Sequence, residues 1–490
     1  MGVHVKRFIP FDPDQPLLLP PDLRSALPEG HAALLIADLA DQLDLREITN
    51  GMPDGSLGGQ PGFHPRVMVR IWLYAYTQGI RSSREVQRAL VENIAFRVVA
   101  QNQTPGFWAL NRFRTLHREA LGNLLEQTVK LAAGMDLVNL GNVAIDGTKV
   151  KAYASKHKAM SYGRMDREEA RLKEEIDAYV KEQVDAYLEA CDVQDAKVDE
   201  MFGPDHDGFS LPEELRDTQA RRNAIASARR ELEARAVEKK EKEQEAKREA
   251  AAEEGRTYTP RKKAEDAKPK DRDQINFTDP ESRIMVSDGS FVQAFNAQIA
   301  VDTESHIVLA AQVGNDSPDV NYLPGILDEV TANTGEAPKV VTADAGYYSK
   351  KNVEHVTSLG AEALIPPDKI RRKAWRAQQA PKGRIPRNLS MQDRMRRRLA
   401  TKEGKRLYLQ RQSSVEPVFG NAKGARGLRQ FLHWGVEKNH HLFRLDMVAH
   451  NLLKIVRHIQ RVGRPGEPPR RPKNPTKPTN PANGVLPTPT

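Results

Sequence analysis

With a single cysteine, Cys191, in 490 residues, the chain can form no internal disulfide and no zinc module built on C-x-x-C pairs. Its scattered histidines, His440 and His441 among them, fit solvated or capping roles better than ligand roles. No apolar run approaches the ~18 residues that a bilayer-spanning helix needs, which excludes the membrane class. The N-terminal stretch MGVHVKRFIPFDPDQPLLLPPDL lacks the continuous apolar core of a secretory signal. These absences together predict a protein of the reducing cytoplasm. Acidic residues run out toward the far end: from Arg461 onward nine prolines and six Lys or Arg stand against one acid, which predicts a disordered, basic, Pro-rich tail over 461–490.

What is present is length and charge. A chain of 490 residues exceeds one ordinary hydrophobic core, so about two to four domains are expected. Charged residues make up 29% and the net charge is +9, which favours a polyanionic partner because each neutralised phosphate releases condensed counterions. Residues 1–50 read as an N-terminal segment ending in a short helix near HAALLIADLADQLDL. Residues 51–140 read as an all-helical domain. FHPRVMVRIWLYAYTQGI carries bulky apolar residues at helical spacing as far as Gly79, Ser82-Ser83-Arg84-Glu85 has the form of a capping box, and Thr104-Pro105-Gly106 punctuates before the next helix. Arg81, Arg84, Arg88, Arg97, Arg112 and Arg114 would line a helix-turn-helix surface facing phosphates. A merely solvated bundle would look the same, and both readings stay open.

Strand character begins at NVAIDGTKV, 142–150, and is interrupted over 156–275 by a segment rich in charge and helix formers. There Leu172, Ile176, Tyr179, Val180, Val184 and Tyr187 form one narrow apolar stripe. Turn residues from Pro204 to Pro212 split the segment into two helices folded back on each other, the second fraying into solvent. Its charges read as a solvated face, with a DNA or dimer contact as the other reading. Strands then resume as a hairpin, SFVQAFNAQIAVD and IVLAAQVG, turning at Thr303-Glu304-Ser305-His306. A helix at YLPGILDEVTANT, a strand entering VVTADAGYYS at 340–349, a helix from about Lys350, a strand at AEALIP and a basic helical remainder to about 460 complete the order. This is an α/β fold: a mixed sheet flanked by helices, with a helical insertion after its first strand, the core being 141–155 joined to 276–460.

Two apolar runs end in aspartate, Asp146 after Val143-Ala144-Ile145 and Asp344 after Val340-Val341-Thr342-Ala343. Asp344 followed by Ala345 and Gly346 would pass alone for turn chemistry; the repetition on a second strand is what points to a site. A pair of metal ions ~3.5–4 Å apart needs several carboxylates brought from separate elements. The third candidate is Glu416, set between Val415 and Val418-Phe419 in the basic stretch YLQRQSSVEPVFGNAKGARGLRQFLHW. If the chain after it is helical, Gly420 and Lys423 share its face, while Pro417 makes Glu416 a helix start or a kink. Asp288 and Asp302 read as turn residues, Asp316 in GNDSPDV as a lower-ranked neighbour of the site, and Trp434 as core packing in preference to a base-stacking wedge.

Taken in order, Asp146, Asp344 and Glu416, with Tyr408, Arg411 and Lys423, resemble the acidic triad and the Tyr, Arg, Glu, Lys signature of the DDE transposases of bacterial insertion sequences. The interval from Arg411 to Glu416 holds four residues where the commoner pattern has three; that from Glu416 to Lys423 keeps the expected six. NFTDPESRIM, DGSFVQAFNAQIAVD, ADAGYYS and GIRSSREVQRALVENIAFRVVA are similar to the insertion-sequence group numbered eleven eighty-two. The resemblance implies a ribonuclease-H-like catalytic core behind an N-terminal all-helical DNA-binding domain, with Arg84, Arg88 and Arg112 on DNA. It implies that Asp146, Asp344 and Glu416 hold two Mg²⁺ or Mn²⁺ ions, that water cuts the element end, and that the freed 3′-hydroxyl attacks target DNA. Lys423, Arg411, Tyr408 and Lys149 would then hold phosphates. The partners implied are double-stranded DNA and a second copy in a homodimer, on the nucleoid. Two other classes remain: a metal-dependent nuclease without strand transfer, and a non-catalytic DNA-binding or scaffold protein.

Overall fold

The computed structural model describes residues 22–50, 62–154, 158–191, 213–253, 255–260, 262–287, 290–368 and 388–463, with residues 383 and 386. The expected tail beyond 463, the Pro204–Pro212 turn and Asp288 lie outside them. Seven helices come first: α1 (Ala32–Asp41), α2 (Arg46–Thr49), α3 (Pro65–Thr77), α4 (Ser83–Glu92), α5 (Ile94–Val99), α6 (Phe107–Leu116) and α7 (Arg118–Ala133). The punctuation behaves as the residues dictate. His64 caps α3, accepting from Arg66 N at 3.1 Å, and Pro65 fills the first turn, where its missing N–H costs nothing. Helix α3 ends before Gly79, whose φ of 75° suits a residue without a Cβ. Ser82 does precede α4, but its side chain makes no capping hydrogen bond, so the capping-box sequence marks the boundary without forming the box.

Strand β1 (Val143–Lys151) follows, then β2 (Ala159–Ser161), α8 (Tyr162–Cys191), α9 (Glu213–Glu253), β3 (Gln274–Asn276), β4 (Arg283–Ser287), β5 (Ser290–Asp302) and β6 (Val308–Gly314). After these come α10 (Leu323–Thr334), β7 (Val340–Thr342), α11 (Lys350–Ser358), β8 (Glu362–Leu364), α12 (Met391–Ala400), α13 (Lys402–Lys423) and α14 (Val436–Val462). One mixed sheet runs β4-β5-β1-β7-β8, with β6 also paired to β5. The first three long strands are antiparallel, and β7 and β8 join parallel to β1. The hairpin turn holds because Asp302 is 1% exposed and its two oxygens accept from Glu304 N and Ser305 N on one side and Asn139 N and Leu140 N on the other. It is a turn residue, as its sequence context suggests.

A single apolar core runs from Ala33 in α1 to Ile459 in α14 and takes in the sheet. Helix α14 is the seam, burying Phe443, Leu445, Met447, Val448, Leu452, Ile455 and Val456 between the N-terminal helices and β6. The same join holds a buried ion pair: Arg81 binds Asp446, and Arg426 Nη1 donates to Asp446 O at 2.5 Å.

The insertion stands apart. Its small cluster of Met165, Leu172, Ile225, Ala228, Leu232 and Ile275 is separate from the main core, and the two-stranded ribbon β2–β3 connects it, Ser161 facing Gln274. The two helices pack on each other with Leu172 and Ile176 of the stripe buried; the side chains of Val180, Val184 and Tyr187 lie outside the described ones. The second does not fray: α9 continues to Glu253, and Gln244, 7% exposed, donates to Lys262 O at 2.9 Å. A returning segment covers Gln244, while residues 245–249 stay exposed, as their composition suggests.

Candidate active site

Asp146 and Asp344 arrive together because of register. Parallel strands β1 and β7 pair Val143 with Val341 and Ala144 with Thr342, and two further residues along each strand lead to the two aspartates. Asp344 also forms the turn that its sequence announced, Oδ1 accepting from Gly346 N at 2.8 Å. The turn and the site are therefore one feature. Asp146 accepts from Gly147 N at 2.9 Å through Oδ1 and from Arg411 Nη1 at 2.6 Å through Oδ2. Burial pushes its carboxyl up to about 6; Arg411 opposes this, while Asp344 and Asp319 add to it.

Helix α13 lies across this strand. Asn142, at the start of β1, fixes the helix by donating to Leu407 O and Gln410 Oε1, both at 3.1 Å. Arg411 sits 5.6 Å from the centre of the Tyr408 ring, so Tyr408 backs the guanidinium that binds Asp146. Three turns on, Lys423 Nζ donates to Thr148 Oγ1 at 2.6 Å and Lys149 O at 3.3 Å. Alternation along β1 turns Asp146 and Thr148 toward α13 and Gly147 and Lys149 to the opposite face. Lys149 accordingly binds Asp319 Oδ1 at 2.9 Å and Ser317 O at 3.1 Å, away from the α13 side where a phosphate contact was expected.

Glu416 neither starts α13 nor breaks it; the helix runs through Pro417 without interruption. The Glu416 side chain is exposed and accepts from Gln412 Nε2. Among the described residues no group of three or more His, Cys, Asp or Glu side chains is arranged to hold a metal ion. Asp146 and Asp344 suit a hard divalent cation, being two adjacent carboxylates whose repulsion Arg411 relieves only in part. Glu416 does not complete that pair in this arrangement.

The other candidates separate by exposure. Arg84, Arg88 and Arg112 are exposed, Arg84 lying 5.1 Å from the centre of the Phe107 ring, and Trp108 beside them is 75% exposed. Arg114 is 5% exposed and stacks 4.3 Å from the centre of the Trp72 ring, so it and Arg81 serve the interior. Asp316 is exposed, its backbone N–H donating to Tyr322 Oη at 3.0 Å, and the residue of that loop which reaches the site region is Asp319. Asp319 was legible only indirectly, through Asn296 and Gln298, two polar residues at a spacing of two in a largely apolar strand that also holds Gln293. Trp434 is 54% exposed, its Nε1 donating to Tyr153 O at 3.1 Å; the packing expected of it is not found.

Residues 271–452 match the family described as transposase DDE domain, and residues 21–116 match a second, described as transposase domain. Two segments of the chain are thus similar to transposase domains. Both support an insertion-sequence transposase and, in general terms, DNA transposition. The DDE-domain match includes Asp344, Tyr408, Arg411, Glu416 and Lys423, whereas Asp146 lies before it, on the far side of the insertion. The other transposase match includes Arg84, Arg88 and Arg112. No curated protein and no solved structure matches the chain. No helix among the described residues is long and apolar enough to cross a membrane.

Proposed function

We propose that this chain is a transposase of the insertion-sequence group numbered eleven eighty-two that cuts a phosphodiester at element ends and joins the freed 3′-hydroxyl to target DNA. The observation that carries the reading is the meeting of Asp146, inside β1, with Asp344, two residues past the end of the parallel strand β7, under a helix whose Arg411 and Lys423 both reach β1. The strand order β6-β5-β1-β7-β8, third-second-first-fourth-fifth among these five, supports a ribonuclease-H-like core. Asp146 and Asp344 would hold Mg²⁺ or Mn²⁺, two ions being expected; Glu416, the third ligand that the resemblance implies, is exposed on α13 and stands outside their group in this arrangement. Such a pair of ions, when bound, activates water and stabilises the leaving oxygen.

The chain's own groups do the rest. Lys423 and Arg411, backed by Tyr408, hold backbone phosphates near the cut, contacts that position DNA without reading its sequence. Arg84, Arg88 and Arg112 project from α4 and α6 as phosphate contacts of the helical domain, with double-stranded DNA as the partner. A homodimer on the nucleoid would hold two element ends together.

The test is joining of a labelled element-end duplex to plasmid DNA in Mg²⁺ by the intact protein, Asp146→Asn and Glu416→Gln. Joining by the intact protein, with a fall of at least about a thousandfold in each variant, is expected, since several kcal/mol of charge stabilisation is lost. Cutting without joining would reduce the reading to a nuclease, and end binding without cutting by any of the three proteins would sink it.

A further inference from the structure

Beneath the aspartates, on the face of the sheet opposite α13, lies a polar layer that the proposed chemistry does not use. Asn296 and Gln298 of β5 are both 0% exposed, where an unpaired amide would carry the full penalty of its lost hydration. Both donate to one carboxylate, Asn296 Nδ2 donating also to Asp316 O at 3.1 Å and Gln298 Nε2 to Asn296 Oδ1 at 2.9 Å. Asp319 Oδ1 accepts from Asn296 Nδ2 at 2.8 Å, Gln298 Nε2 at 2.9 Å and Lys149 Nζ at 2.9 Å. Gln298 passes the connection on, its Oε1 accepting from the hydroxyl of Tyr347, a fully buried residue at the end of the turn that Asp344 caps. A second strut runs in parallel: Asn352 Nδ2 donates to Val320 O and to Tyr347 O, both at 2.8 Å. The Gln298 side chain lies across Gly147, filling the space a Cβ would take, so the chain of contacts presses on the strand next to Asp146 as well.

We propose that Asp319 is a positioning residue: through Gln298 and Tyr347 it locks the turn carrying Asp344 against the strand carrying Asp146. It acts from the Lys149 face of the sheet, its Oδ2 also lying beside Gly346 of that turn. Without it Lys149 loses its counter-charge, and Asn296 and Gln298 each lose the stronger of two acceptors, keeping only Asp316 O and Asn296 Oδ1, so the Gln298 link to the Asp344 turn is loosened and the Asn352 strut carries more of the hold. The activity arm of the test rests on the transposase reading; the exchange arm does not.

Hydrogen exchange of the full-length protein, followed over peptides spanning 340–349, reads the lock directly. Asp319→Ala is expected to speed exchange there about tenfold or more while leaving peptides of α3 unchanged, because a local opening becomes easier without global unfolding. Asp319→Asn keeps an acceptor oxygen and is expected to recover much of the protection. In Mg²⁺-dependent cutting of an element-end duplex, Asp319→Ala should lower the rate at saturating DNA about thirtyfold or more with end affinity within about twofold, a loss in kcat rather than KM. Unchanged exchange over 340–349 in Asp319→Ala, or cutting at the intact protein's rate, overturns the proposal. Should Asp319→Ala not fold, Tyr347→Phe removes only the last link; faster exchange over 340–349 supports the lock and an intact pattern overturns it. An intact protein that never cuts defeats the transposase reading and leaves the exchange result to judge Asp319.

Discussion

Asp146 is the residue on which the opposing forces at this site meet. Burial and two neighbouring carboxylates raise its pKa to about 6, with Arg411 pulling the other way. Between about pH 4 and pH 6 the folded chain therefore holds a proton that the unfolded chain has released, so this residue's contribution to stability falls as pH rises through that window. Asp146→Asn cannot titrate. The melting temperature of the variant minus that of the parent, both without divalent cations, should climb from about pH 4 to pH 6.5 and level off above; a difference independent of pH would show that Asp146 titrates as an ordinary carboxylate. Gly147 gives a sharper test of packing. An added Cβ would overlap the Gln298 amide, which Asn296, Asp319 and Tyr347 hold in place. Gly147→Ala should cost about 1–3 kcal/mol in urea denaturation, the usual penalty for overfilling an interior. The sequence made Asp146 and Asp344 conspicuous because a charge ends an apolar run. Asp319 was hidden because its loop, GNDSPDV, carries two aspartates three residues apart, and only the folded sheet distinguishes the one that meets Asn296 and Gln298.

At the scale of elements, strands and helices were legible where the residue pattern is local. The hairpin of β5 and β6, helix α10 and strand β8 all fall where apolar runs and turn formers put them. Helix α13 was harder, because proline normally ends a helix interior. Pro417 can donate no hydrogen bond to the carbonyl of Ser413, yet Val415, Val418 and Ala422 bury around it and tertiary packing outweighs the local cost. Pro417→Ala restores that donor at an exposed position, so it should stabilise the protein by about 1–3 kcal/mol in thermal or urea unfolding. An unchanged or lowered stability would mean that the helix is shaped around the proline. The placement of Glu416 beyond the aspartate pair was not legible at all, since helical spacing from Lys423 fixes a face of α13 but not which way that face looks.

For the molecule as a whole, composition separated the insertion from the rest, and the structure gives the reason in two distinct apolar clusters. Ser161 and Gln274 face each other across the ribbon, so the chain can be closed there without strain. Replacing residues 162–273 by a short Gly/Ser linker should leave the melting temperature of the remainder within about 1.5 °C, a change of roughly 1 kcal/mol or less for a body of this size; a larger fall would show that α8 and α9 support the main core. What the sequence could not show is that the N-terminal helices and the sheet share one interior, because the contacts of α14 join residues hundreds of positions apart. The ribbon carries a mechanical consequence as well. Helix α8 leaves it at Tyr162 and runs for 30 residues, about 45 Å at 1.5 Å per residue. A three-pair ribbon at one end of such a rod is a fulcrum: a rotation of about 10° there sweeps the far end through roughly 8 Å, on a rod that keeps its length because its rise per residue is fixed. Small angular changes close to the aspartate-bearing strand would thereby be turned into displacements larger than the radius of a helix.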